Sequence, residues 1–198
     1  WWEGPALIIA LGVFCGQLVV GWSNDAIDYQ DDLLHNRQKK PLVSGQISLK
    51  LLQNALRMML PLAILINLFG PLGFVGGGIS VLAIGLAVSY NFYFKYTPLS
   101  PLPYVIAFAA LPASIVLAVD ETPPLWMMAA GSLLGVAAHI ANVLKDFDED
   151  GLSGIRSFPR IIGERTSRLI IAIILLANTV LLNSVSPQPA LLIVGIIG

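Results

Sequence analysis

The stretch Asn24–Gly45, NDAIDYQDDLLHNRQKKPLVSG, holds seven of the chain's 11 basic and 12 acidic residues within 22 positions. Read as the end of a helix, Asn24, Asp28 and Asp32 recur every fourth residue and share one face. Carboxylates at that spacing repel one another, so the array is costly unless a cation sits among them. Oxygen donors without His or Cys favour a hard ion, Mg²⁺ or Ca²⁺, over zinc. The pattern recurs 118 residues later, where Asn142, Asp146 and Asp150 repeat N-x3-D-x3-D. Each copy precedes a basic residue, a proline and a glycine: Arg37, Pro41 and Gly45, then Arg156, Pro159 and Gly163. Two acidic arrays backed by cations are what a diphosphate held through Mg²⁺ requires.

Around these arrays the chain is mostly apolar. Of 198 residues 56% are hydrophobic and 12% charged, with mean hydropathy +0.79, whereas soluble domains are about a quarter charged. The expected fold is an all-α, polytopic transmembrane bundle forming one membrane domain over 1–198. Six spans are expected at 5–23, 51–69, 72–94, 102–119, 124–144 and 167–185, with a seventh beginning at 190–198. Gly, Pro and polar residues separate them. The two longer connections, 24–50 and 145–166, contain the acidic arrays.

All 11 Lys and Arg fall in or beside the first, third and fifth connections. By the positive-inside rule these face the cytoplasm, which places the N-terminus with Glu3 outside. Lone Cys15 excludes an internal disulfide framework and reads as a packing residue. Gly76, Gly77 and Gly78 read as a close helix contact rather than a hinge. Trp1, Trp2, Trp22 and Trp126 lie near span ends, where an interfacial belt places them. His139, an ionisable group inside the fifth span one turn before Asn142, is open to two readings, a hydrogen-bonded structural residue or an acceptor-binding one.

N-D-x-x-D-x-x-x-D at Asn24, Asp25, Asp28 and Asp32, with the following basic-Pro-Leu-x-Ser-Gly loop, resembles the first signature of the UbiA family of intramembrane prenyltransferases. N-x3-D-x3-D at Asn142, Asp146 and Asp150, with G-x-R-S-x-P-x-x-x-G downstream, is similar to that family's second aspartate-rich motif. The resemblance covers nearly the whole chain. It implies a fold of about nine spans, of which the first and the last part are expected to be missing here.

The resemblance also implies a chemistry. A prenyl diphosphate binds with Mg²⁺ between the motifs at the cytoplasmic mouth of the bundle, its diphosphate leaves, and an often aromatic acceptor attacks the allylic cation. The implied metal ligands are Asn24, Asp25, Asp28, Asp32, Asn142, Asp146 and Asp150. Arg37, Lys40, Lys145 and Arg156 are candidates for the diphosphate oxygens, and His139 for the acceptor. Tyr90 and Lys95, in SYNFYFK, resemble a tyrosine-lysine feature of many members: Lys95 would touch the diphosphate and Tyr90 would line the cation pocket. Asp28, Asp146 and Tyr90 are the expected catalytic residues. The implied partners are the prenyl diphosphate, a small acceptor and the lipid bilayer of the plasma membrane, with no nucleic acid.

Three other readings fit less well. Asp146, Asp148, Asp150 and Gly151 begin like an EF-hand loop, but its twelfth position is Ser157, where a bidentate Glu is needed. A CDP-alcohol phosphotransferase signature, D-x-x-D-G-x-x-A-R, is met by neither array. A transporter would place carboxylates near the bilayer midplane, whereas nearly all of them here lie at one membrane edge.

Overall fold

The computed structural model describes residues 3–145, 147 and 155–185, and among these the regular structure is entirely helical. In chain order the elements are α1 (Glu3–Leu34), α2 (Leu49–Phe69), α3 (Gly73–Phe92), a 3-10 turn (Phe94–Tyr96) and α4 (Leu102–Leu117). Then follow α5 (Leu125–Lys145), the short α6 (Phe158–Ile162) and α7 (Glu164–Val185). Among the described residues five helices are long and apolar enough to cross a membrane, and α4 is a shorter apolar helix. These six coincide with the six expected spans. The chain is thus an all-α polytopic membrane bundle. The expected seventh segment, 190–198, and Trp1 and Trp2 lie outside the described residues.

The first helix runs well past the expected span end at 23. Its 32 residues extend about 48 Å, against a hydrocarbon core of roughly 30 Å. The excess carries Asn24, Asp25, Asp28 and Asp32, so the first array sits on helix, as its spacing implied, and the polar connection becomes non-helical only after Leu34. α1 stops at Asn36, whose φ of 51° is the left-handed conformation Asn tolerates at a helix end. The Arg37 amide then donates back to the Asp32 carbonyl at 3.0 Å. That reversal turns the basic segment onto the acidic face it follows.

Each long helix packs on the next, α1 on α2, α2 on α3, α3 on α4 and α4 on α5, with α1 also against α3 and α5 against α7. A small core of Cys15, Val19 and Ala63 joins α1 to α2, with Ile84 and Val88 of α3 packed on it. Most other large apolar side chains face outward, as in a bundle whose surroundings are themselves apolar. A Cβ on Gly77 would collide with the Asn67 carbonyl of α2, and one on Gly76 with the Ser114 carbonyl of α4. The two glycines therefore let α3 touch two helix backbones at once. At the same level Asn67 donates to the carbonyls of Gly12 (3.3 Å) and Ala63 (2.8 Å) and accepts from Ser80 Oγ (2.7 Å).

Candidate functional site

At one end of the bundle the protruding part of α1, the turn after it, the ends of α3 and α5 and the 3-10 turn enclose a polar cavity of about 760 Å³. Asn24 and Asp28 line it from α1, one turn apart. Asn142 and Lys145 line it from α5, with Tyr90 from α3 and Lys95 from the 3-10 turn. Described members of the two repeated arrays, 118 residues apart in sequence, therefore share one cavity. Asp146 and Asp150 lie outside the described residues.

The remaining wall is the segment His35–Lys40, which contributes Arg37 and Lys40 together with Lys39 and Gln38. Lys39 reads in the sequence only as a topology signal. Its adjacency to Arg37 and Lys40 in one tight turn was the available clue.

The four carboxylates Asp25, Asp28, Asp31 and Asp32 are already partnered by cations. Lys95, 4% exposed, forms an ion pair with Asp28. Asp32, 1% exposed, is held between Arg37 Nη1 at 3.1 Å and Lys40 Nζ at 2.7 Å. Lys40 also lies 3.8 Å from Asp25. Asp31 faces His35 at 3.3 Å and Arg37 at 3.8 Å. Asp25 and Asp32 do not line the cavity. They stand behind Arg37 and Lys40 and fix where those cations point. Arg156 is exposed to solvent and is not among the lining residues.

Among the described residues no three His, Cys, Asp or Glu side chains gather closely enough to hold a metal ion. Of the two repeated arrays, Asn24, Asp28 and Asn142 are the described oxygen donors that face the cavity. Such a set suits a hard, oxygen-loving cation, and the Lys95 ammonium already balances the Asp28 carboxylate with positive charge. In kind, all-oxygen donors without His or Cys are those that Mg²⁺ takes.

His139 does not line this cavity. It is fully buried, with Nε2 2.9 Å from Ser100 Oγ, and that hydroxyl accepts the Phe158 amide at 2.9 Å. Its ring packs against Tyr90 and Tyr104, at centroid distances of 5.6 and 5.0 Å. Tyr104 in turn hydrogen-bonds with Asn142. Ser100 and Tyr104 drew no attention in the sequence, since a serine and a tyrosine near span ends are common.

A second, smaller chamber of about 210 Å³ lies deeper among α1, α3 and α4. Its wall is largely apolar, including Val20, Ala83, Ala87, Ala107 and Phe108. Tyr90 borders both spaces. A charged cavity thus adjoins an oily one across a single aromatic side chain.

No curated protein and no solved structure matches the chain. A family model does: that of the UbiA prenyltransferase family matches residues 2–198.

Proposed function

The chain belongs to the UbiA prenyltransferase family, and from that membership we propose that it moves an isoprenoid from a prenyl diphosphate to a small, often aromatic acceptor. On this reading the site opens on the cytoplasmic side of the plasma membrane. The observation that carries the proposal is Tyr90, shared between the polar cavity and the apolar chamber. A prenyl diphosphate has the same two halves, a dianionic or trianionic head and a hydrocarbon tail, joined at the carbon that reacts.

The head belongs in the polar cavity. Asn24 and Asp28 from α1, with Asn142, Asp146 and Asp150 from the second array, would hold Mg²⁺. Asp32 and Asp25 would act through Arg37 and Lys40 rather than touch the ion. Bound there, Mg²⁺ supplies charge neutralisation for the departing diphosphate. Lys95, Arg37, Lys40 and Lys145 add hydrogen bonds to its oxygens, which strengthen as negative charge collects on them. Arg156 would join them from the solvent side.

The C1–O bond breaks with its electron pair leaving on the diphosphate. Tyr90 then presents a π-face to the allylic cation, and the apolar chamber withholds water that would capture it. An electron pair of the acceptor forms the new bond to C1, and the acceptor proton passes to solvent or the released diphosphate. His139, behind Tyr90 and Tyr104, would hold the aromatic wall on which the acceptor lies.

Purified protein or membranes supplied with radiolabelled prenyl diphosphates, Mg²⁺ and a panel of acceptors test this directly. Mg²⁺-dependent transfer that is lost in both Asp28→Ala and Asp146→Ala is the expected result. Transfer unaltered by either change removes the reading.

A further inference from the structure

We infer that Tyr104 is a positioning residue of the site: its hydroxyl accepts a hydrogen bond from the Asn142 amide nitrogen and so turns the amide oxygen toward a divalent cation in the polar cavity. The inference rests on the prenyltransferase reading and adds to it a residue that touches neither the cation nor the diphosphate.

The need for such a residue lies in the chemistry of an amide. Asparagine ends in one oxygen, which a hard cation takes, and one NH2 group, which only donates. Rotation about the last side-chain torsion exchanges the two, and that torsion is broad and roughly two-fold. Asn142 borders the cavity and is exposed, so packing does not choose between them. A partner that engages one end of the amide does. Tyr104 hydrogen-bonds with Asn142, and a phenolic hydroxyl can either give or accept. Only when it accepts from the NH2 group does the oxygen face the cavity.

A residue that orients another must itself be held, and Tyr104 is held at both ends. Its backbone is set by a close approach of α4 to α5. A Cβ on Gly135 would come within 2.5 Å of the Tyr104 carbonyl, and one on Gly131 within 2.4 Å of the Phe108 carbonyl. These contacts, a turn apart on each helix, tie the level of Tyr104 on α4 to that of Gly135 on α5. His139 follows Gly135 by one turn and precedes Asn142 by another, so the side chain of Tyr104 reaches across both.

The ring is set by three neighbours. His139 packs at a centroid distance of 5.0 Å, Tyr90 meets it edge to face at 5.3 Å and Phe108 stacks at 6.3 Å. They come from α5, α3 and α4, and His139 is in turn fully buried and bound to Ser100. Tyr104 lines the apolar chamber and is not among the residues lining the polar cavity. Its hydroxyl thus meets Asn142 from behind, on the side away from the diphosphate.

Mn²⁺ takes the same oxygen ligands as Mg²⁺, and its free form is counted by electron paramagnetic resonance. The detergent-purified protein is titrated with Mn²⁺ in the presence of an unreactive thiolodiphosphate carrying a fifteen-carbon tail. Tyr104→Phe removes the hydroxyl and keeps the ring. It should weaken Mn²⁺ binding about two- to tenfold, the range of one ordinary hydrogen bond, while melting without metal stays close to that of the wild type. A carboxylate presents an oxygen whichever way it turns. In an Asn142→Asp background, Tyr104→Phe should therefore weaken Mn²⁺ binding by less than about twofold. A five-carbon analogue, which has the same head, should give the same ratios.

Unchanged or tighter Mn²⁺ binding in Tyr104→Phe overturns the assignment. So does an equal loss in both backgrounds, or a Tyr104→Phe protein that does not fold, since either makes the hydroxyl a support of the bundle at large. A loss seen with the fifteen-carbon tail alone overturns it too, by placing the effect in the chamber. The two readings fail separately. Transfer that needs Asp28, beside Mn²⁺ binding indifferent to Tyr104, removes the positioning role alone. Mn²⁺ binding that follows Tyr104 as expected, with no transfer from any donor, removes the chemistry alone.

Discussion

The Lys95 ammonium rests on the Asp28 carboxylate, joining the 3-10 turn to α1 at the polar cavity. Both side chains are largely withdrawn from solvent, at 5% and 17% exposure. Breaking such a pair from one side strands the other charge, at a cost of about 3 kcal/mol or more. Lys95→Met should therefore lower the apparent melting temperature in detergent by several degrees when Mg²⁺ is absent. A divalent cation among Asn24, Asp28 and Asn142 would replace the missing charge, so added Mg²⁺ should restore more stability to the variant than it gives the wild type. If Lys95 donates to the diphosphate as proposed, transfer should still fall at least about tenfold. An equal Mg²⁺ effect on the two proteins would mean that Lys95 and the metal do not share Asp28.

Asp32 and Asn24 share a helix face but stand in different surroundings, and this separates their expected phenotypes. Asp32 is buried between Arg37 and Lys40, whereas Asn24 borders the cavity. Asp32→Ala should loosen the segment after α1, losing about 1.5–3 kcal/mol as for a lost hydrogen bond to a charged group. Asn24→Ala should leave thermal stability within about 0.5 kcal/mol, as for changes away from buried networks, and act on the Mg²⁺ dependence of transfer. Melting curves of both variants, read beside Mg²⁺ titrations of their activity, distinguish the roles. A stable Asp32→Ala with raised Mg²⁺ demand would return Asp32 to the metal.

The membrane fold was legible because bilayers impose a crude rule: long apolar runs, broken by Pro and Gly, with cations at every second connection and so on one side. The acidic arrays were legible for a related reason, since carboxylates at helical spacing are unfavourable without a partner and stand out against an apolar chain. Periodicity alone put Asn24, Asp28 and Asp32 on one face. It could not say that Asn36 would turn Arg37 back onto Asp32, withdrawing the last of the three from the cavity. How far the helix runs past the bilayer was less legible, because charge content marks where the bilayer ends and not where a helix does. The apolar chamber was out of reach altogether. It depends on which of many alanines face one another, and Gly76 and Gly77 reveal their purpose only beside Ser114 and Asn67.

Ser100 does for α6 what a capping side chain normally does from the helix's own start. Ser157 at the N-cap makes no side-chain cap, and the Phe158 amide donates instead to Ser100 Oγ, which also contacts His139. Ser100→Ala should leave a buried amide and an imidazole nitrogen without partners, at about 1–3 kcal/mol. Hydrogen exchange at Phe158 should quicken by tenfold or more, while amides in the middle of α2 remain as protected as before. Ser100→Thr, which keeps the hydroxyl, should recover most of the protection. Unchanged exchange in the Ala variant would show that α6 docks by other means.

Gln17 is the exception in the chamber wall. It lies two helical turns before Asn24, on the same side of α1, and lines the chamber among mostly apolar neighbours. The other polar side chains there are engaged: Ser80 by Asn67, and Asn91 by the Val20 carbonyl and Ser23. No hydrogen bond is recorded for the Gln17 amide among the described residues. A hydrocarbon tail gives an amide nothing, and covering it costs about 0.5–2 kcal/mol when its water is lost. With a tail in the chamber, Gln17→Leu should therefore tighten binding of the fifteen-carbon thiolodiphosphate by roughly two- to tenfold. The five-carbon analogue, too short to reach Gln17, should bind as before. Weaker binding of both would assign the amide to a polar ligand group and move the tail elsewhere. The sign of this one change thus reports which half of the substrate lies beneath Tyr90.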